Sequence, residues 1–93
     1  MKVKVIFWGE FSKNLGTKSD ELEFNSEATV LDVLMKLVEK YGVPFSERIF
    51  NPETKKIHNQ IITLVNGYNI RDNLERKIND GDYFVIMAAV VGG

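Results

Sequence analysis

The chain closes on two glycines, Gly92 and Gly93, reached through Ala88, Ala89, Val90 and Val91. A glycine has no Cβ, so a backbone ending this way can pass a narrow channel and present its carboxylate without obstruction. Extended at about 3.3 to 3.6 Å per residue, the six residues from Ala88 onward reach roughly 20 Å, enough to enter a second protein's active site. The chemistry on offer is acyl transfer from the chain's own end. An α-carboxylate with an ordinary pKa of about 3.3 to 3.7 is ionised at neutral pH and is a poor acyl donor, so it would need activation, for example as a mixed anhydride with AMP. The sequence has neither a Gly-x-x-x-x-Gly-Lys-Ser/Thr loop nor a Gly-x-Gly-x-x-Gly turn. Activation would therefore fall to a partner enzyme. The competing reading of Gly92 and Gly93 is a frayed, inert terminus.

Other chemistry-bearing residues are sparse. There is no cysteine, which removes disulfides, thiolate metal sites and a cysteine nucleophile. His58, the single histidine, lies in a polar stretch without a carboxylate at metal-ligand spacing and reads as a solvated side chain. Asp80 and Asp82 flank Gly81, where turn chemistry accounts for them better than a cation site. Lys55 and Lys56 make a short basic spot on a loop. No metal site is expected.

The elements that must carry the tail follow from periodicity. Lys2 to Trp8, β-branched and aromatic, predicts a strand with Val3, Val5 and Phe7 on one face and Lys2, Lys4, Ile6 and Trp8 on the other. "NLGTKSD" (14–20) reads as a turn, and "ELEF" (21–24) as a second strand, making a hairpin with Leu22 and Phe24 inward. Thr29, with Asp32 three residues later, predicts a capped helix whose apolar face is Val30, Val33, Leu34, Leu37, Val38 and Tyr41. Gly42 supplies a left-handed stop, and Pro44 blocks resumption. The 45–60 stretch reads as an irregular or helical turn followed by a loop, with Phe45, Ile49 and Phe50 as anchors. "IITLV" (61–65) is a strand closed by Asn66-Gly67, both residues tolerating positive φ. "INDGD" (78–82) is a second tight turn, from which "YFVIMA" (83–88) runs out as the most apolar strand.

Strands at both ends and one main helix make an α+β domain of the β-grasp type over 1–88, with the last strand parallel to the first at the centre of a mixed sheet and 89–93 as an extended tail. One feature of the last strand breaks the pattern of a sheet with one wet face. Phe84 and Ile86 point toward the helix, while Tyr83, Val85 and Met87 point away and join Ile6 and Trp8. Either the 45–60 segment folds over these five side chains, or they form a partner-binding patch, for which Trp8 and Met87 suit as large anchor and adaptable neighbour.

Composition sets the remaining bounds. The 93 residues allow one core, and 44% hydrophobic with 27% charged residues is the make-up of a folded domain. Twelve basic against thirteen acidic residues, scattered along the chain, argue against phosphate-driven nucleic-acid binding. No apolar run approaches the roughly 20 residues of a membrane span, and "MKVKVIFW" has no signal-peptide pattern, so a cytoplasmic protein is expected.

Taken together, "KVKVIFWGEFSKNLG", "ATVLDVL", "LVNG", "INDGD" and the terminal Gly-Gly resemble the small, sulfur-carrying subunit of molybdopterin synthase, the MoaD-like proteins, over nearly the whole chain except 51–60. The likeness shades into ThiS-like and archaeal ubiquitin-like modifier proteins. It implies a ubiquitin-like β-grasp fold and a chain that is no enzyme by itself and binds no cofactor. It also implies a Gly93 that a MoeB-like activating enzyme adenylates with ATP and a sulfur donor protein converts to a thiocarboxylate. The tail would then enter a MoaE-like large subunit and deliver sulfur to the pterin precursor of the molybdenum or tungsten cofactor. The alternatives that the resemblance leaves open are conjugation through Gly93 to lysines of other proteins, and thiazole or tRNA thiolation. Expected partner contacts are Ile6, Trp8, Tyr83, Val85, Met87, Ala88, Ala89, Val90 and Val91, with Gly92 and Gly93 as the reactive end. Two positions depart from the family pattern: Ala88 and Ala89 stand where a proline is common, leaving a less rigid tail, and Ser12 stands where many members carry an arginine.

Overall fold

Alternating burial along Lys2–Phe7 makes β1 a strand with one dry face: Val3, Val5 and Phe7 are buried, while Lys2 and Lys4 are exposed and Ile6 is half-buried. The computed structural model describes residues 1–89. After β1 the chain turns at Gly9 into a six-residue helix, α1 (Glu10–Leu15), closed by Gly16 in the left-handed conformation (φ 77°, ψ 13°). The turn expected over 14–20 is thus partly helical. Gly16 does stop the segment, but Phe11 drives it, being buried in the core. Strand β2 (Ser19–Glu23) pairs antiparallel with β1, Val3 opposite Leu22, which is the expected hairpin with a helix in its connection.

The short β3 (Ala28–Thr29) leads into the main helix α2 (Val30–Tyr41) through a complete capping box. The Thr29 hydroxyl accepts from the Asp32 backbone N–H, and the Asp32 carboxylate accepts from the Thr29 N–H at 2.8 Å. Val30, Val33, Leu34 and Leu37 are fully buried, as the helical period requires. Gly42 ends the helix at positive φ (68°), but with ψ −141° it is extended and not left-handed helical. Pro44 does not block a helix; it sits in the first turn of the next one, α3 (Val43–Ser46), where its missing N–H costs nothing.

A small hairpin, β4 (Phe50–Asn51) with β5 (Lys56–Ile57), precedes β6 (Ile61–Val65). Asn66 and Gly67, at φ 52° and 87°, turn β6 onto β7 (Tyr68–Asn69). β8 (Lys77–Ile78) pairs with β3, and β9 (Tyr83–Ala88) is the last strand. The main sheet runs β2-β1-β9-β6-β7, with β9 parallel to β1 and antiparallel to β6 at its centre. This is the ubiquitin-like β-grasp: a mixed sheet laid across one principal helix.

The core lies between α2 and the sheet face carrying Val3, Val5, Phe7, Phe84, Ile86 and Val65. Phe45, Ile49 and Phe50 belong to this same core. The 45–60 segment therefore anchors on the helix side and does not close the opposite face. Thr63, level with Ile86 in the register, is the exception among inward-facing residues: it is 2% exposed and its hydroxyl has no hydrogen-bond partner. No helix of the described residues is long and apolar enough to cross a membrane.

Candidate functional site

Because β1 and β9 run parallel, their C-terminal ends lie at one edge of the sheet. Trp8, one residue past β1, remains tied there through its N–H to the Ile86 carbonyl at 3.0 Å. Ala89, one residue past β9, donates to the Gln60 carbonyl, so the ladder holds the chain one residue beyond the strand before it leaves toward Gly93.

The sheet face turned away from α2 carries Ile6 beside Val85, with Leu64 on the far side of Val85 and Ile62 opposite Met87. Trp8 is 55% exposed and Tyr83 41%, while Ile6, Ile62, Leu64 and Met87 are half-buried by one another. Ile6, Trp8, Tyr83 and Met87 thus share one partly open face, as strand parity predicts, with two corrections. Val85 is only 8% exposed, because its neighbours on both flanking strands are large and fence it in. Ala88 is exposed but falls two residues after Ile86 and so belongs to the helix-side row. Ile62 and Leu64 are additions that the alternation within "IITLV" carried once one face was assigned to Thr63. The opposite end of this face is charged, with Lys2, Lys4, Glu21 and Glu23 exposed and Lys2 paired to Glu21 at 3.7 Å. The surface is therefore graded, apolar toward the edge where the chain exits. Val90, Val91, Gly92 and Gly93 lie outside the described residues.

The strand end bearing Ile6 and Trp8 is positioned by a polar clamp under α2. The Tyr41 ring meets Phe7 edge-on, with centroids 5.6 Å apart at 82°, and its phenol donates to the Asp20 carboxylate at 2.5 Å. Lys40 reaches the same oxygen at 2.7 Å. Burial works to raise the Asp20 pKa, but the hydrogen bonds from Lys40, Tyr41 and the Glu21 backbone, with the Lys40 charge, hold it below its ordinary value. Burial, then the bond to Asp20 and its charge, push the Tyr41 phenol well above its ordinary value. Both groups are set to stay in their neutral-pH forms and act as structure.

The remaining polar candidates are structural as well. Asp80 accepts from the Lys2 N–H at 2.7 Å, and buried Asp82 accepts from the Asn66 side chain and the Asn79 N–H, both at 2.8 Å. His58 is half-buried, not merely solvated, with Nε2 2.9 Å from the Ser46 carbonyl. Among the described residues no three acidic, histidine or cysteine side chains cluster as metal ligands would.

Comparison with known proteins agrees with this geometry. The sequence pattern of the ThiS family matches residues 5–93. No curated protein matches the chain by sequence. Among solved structures, the small archaeal modifier protein 1 of Methanosarcina acetivorans is 30% identical, with a TM-score of 0.78 over 99% of this chain and 96% of that one. A chain of the Amycolatopsis orientalis BexX/CysO complex is also 30% identical, with a TM-score of 0.77 over 98% and 99%. A Pyrococcus furiosus protein named for molybdopterin converting factor, subunit 1, shares the fold at 24% identity, with a TM-score of 0.77 over 97% and 99%. With β-grasp topology, an apolar band at the exit edge and a family pattern spanning nearly its whole length, the chain belongs to the ThiS family.

Proposed function

We propose that this chain is a sulfur carrier that works through its own C-terminus. The observation that carries the reading is the parallel pairing of β1 with β9, which sets the Trp8–Met87 band at the edge where the chain departs toward Gly93. A partner gripping that band has the last residues within reach, at roughly 3.3 to 3.6 Å per residue. In this reading the Gly93 carboxylate attacks the α-phosphorus of ATP on a MoeB-like enzyme and releases pyrophosphate. A sulfur donor protein then displaces AMP to leave a thiocarboxylate. The acceptor is the pterin precursor held by a MoaE-like large subunit, in a molybdenum or tungsten pathway; the likeness to the Pyrococcus protein supports this. Catalysis belongs to the assembly, and ATP to the activating enzyme.

A second reading shares the activation and differs in the acceptor. The 30% identity to a small archaeal modifier protein favours conjugation of Gly93 to lysines of other proteins, and a ThiS-like role in thiazole or tRNA thiolation uses the same thiocarboxylate. One experiment tests all of these at the common step: incubation with an adenylating enzyme, ATP and a sulfur donor, followed by intact-mass analysis. The expected result is the mass gain of an oxygen-to-sulfur exchange at Gly93. Absence of both adenylate and thiocarboxylate overturns the proposal. Branched peptides in which Gly93 is joined to lysines of host proteins, with no sulfur transfer to a pterin, select the modifier reading.

A further inference from the structure

Asn66 and Gly67, which turn β6 onto β7, are also a pair in which an asparagine is open to attack by its own backbone. Glycine has no Cβ to shield its nitrogen, so the Gly67 nitrogen closes on the Asn66 side-chain carbon Cγ once both groups are free to turn. The new N–Cγ bond displaces Nδ2, which takes the proton lost by the Gly67 nitrogen and leaves as ammonia. Water then opens the five-membered imide at one of its two carbonyls, and residue 66 ends as aspartate or as isoaspartate, whose backbone runs through the side chain. The reaction begins only if the Asn66 side chain can rotate.

The fold denies that rotation. Asn66 donates from Nδ2 to Asp82 Oδ1 at 2.8 Å and accepts at its own Oδ1 from the Tyr83 N–H at 3.1 Å, while its backbone N–H donates to the Tyr83 carbonyl at 2.9 Å. Both ends of the side-chain amide are thus fastened where β9 begins. Asp82 is 8% exposed and is held in turn: its Oδ2 accepts from the Asn79 N–H at 2.8 Å, and its carbonyl accepts from the Lys4 N–H at 3.1 Å. We propose that Asn66 is a deamidation site that the native fold keeps closed through Asp82 and Tyr83, and that reaction there is a one-way mark on molecules in which this corner has opened. The product does not fit the place that the amide leaves. An ionised carboxylate only accepts hydrogen bonds, so aspartate at 66 sets an oxygen where Nδ2 stood, against the Asp82 carboxylate, and like charges this close repel. Isoaspartate also lengthens the backbone of a turn whose flanking strands are in register at Val65 and Tyr68. This chemistry does not depend on the proposed carrier role.

The test follows deamidation at each asparagine of the full chain by peptide mass mapping, at pH 8 in native buffer and in guanidinium chloride. Asn25 is the internal reference, being exposed and followed by Ser26, whose Cβ partly shields its nitrogen. In guanidinium chloride Asn66 should react faster than Asn25. In the native chain the order should invert, with Asn66 slowed by about tenfold or more, as reaction through a minor open state requires. The consequence of reaction is read from variants at pH 7. Asn66→Asp should melt about 4 °C or more below the parent, or fail to fold. Adding Asp82→Asn, which again sets one amide against one carboxylate, should recover most of that loss. A native chain in which Asn66 outruns Asn25 overturns the protection. An Asn66→Asp chain as stable as the parent, or one that Asp82→Asn does not rescue, overturns the one-way mark.

Discussion

The two faces of the central sheet are built from similar side chains and have opposite fates. Toward α2, Val5, Phe84, Ile86 and Val65 are wholly buried. On the other face, Ile6, Ile62, Leu64 and Met87 stop at half-burial, and Trp8 remains 55% exposed. The strands alternate apolar with apolar where a sheet with one solvated face would alternate apolar with polar. Hydrophobicity alone therefore does not separate residues that hold the domain together from residues left partly open at its surface. What separates them is whether a second layer of the same chain lies above.

The difference can be broken from the covered side first. Phe84→Ala removes a fully buried ring beneath α2 and should cost about 3 to 5 kcal/mol in urea unfolding, a large share of a small domain's stability. On the open side, Trp8→Ala should leave unfolding within about 0.5 kcal/mol of the parent, since the ring already faces water. Its effect should appear in affinity for the proposed adenylating enzyme, which should fall by about 2 kcal/mol, roughly 30-fold, measured by calorimetry. Equal stability losses at both positions would erase the distinction.

A smaller loss of stability than that of Phe84→Ala is expected at the clamp that ties α2 to β1 and β2. Tyr41→Phe keeps the contact with Phe7 and removes one donor to Asp20, so it should cost about 1 to 2 kcal/mol at neutral pH. The pH dependence gives it a signature. The Tyr41 pKa is raised by folding, so its contribution is complete below the ordinary value of 10.0 and is lost as pH rises above it. The Asp20 pKa is lowered, so its contribution is present above the ordinary 3.8 and is lost as pH falls below it. The variant should flatten the alkaline loss and retain most of the acid one, because Lys40 still holds Asp20.

Much of this architecture is legible from periodicity and caps. The capping box at Thr29, the apolar face of α2, the Asn66-Gly67 turn and the parallel pairing of first and last strands follow from local pattern and the handful of topologies it permits. What escapes is short or long-range. In α1 a single buried residue, Phe11, drives six residues of helix, too few for a period to declare itself between two glycines. Pro44 reads as a block because nothing local says that a new helix begins beside it. The β3–β8 pairing joins residues far apart in sequence through two-residue strands. At the site, Trp8, Ile6, Tyr83 and Met87 could be assigned from strand parity, whereas the seclusion of Val85 depends on the size of neighbours in β1 and β6, which only the assembled register brings together.

The central position of β9 also has a consequence for how the molecule is made. The sheet cannot close until residue 88 has left the ribosome, because the strand that both β1 and β6 require comes after all the other strands of the sheet in chain order. Every earlier length of nascent chain lacks the middle of its own sheet and must wait on a long-range pairing that forms slowly. A product truncated before β9 lacks the strand that both β1 and β6 pair with and is left as unfolded material for proteases instead of competing with the intact domain.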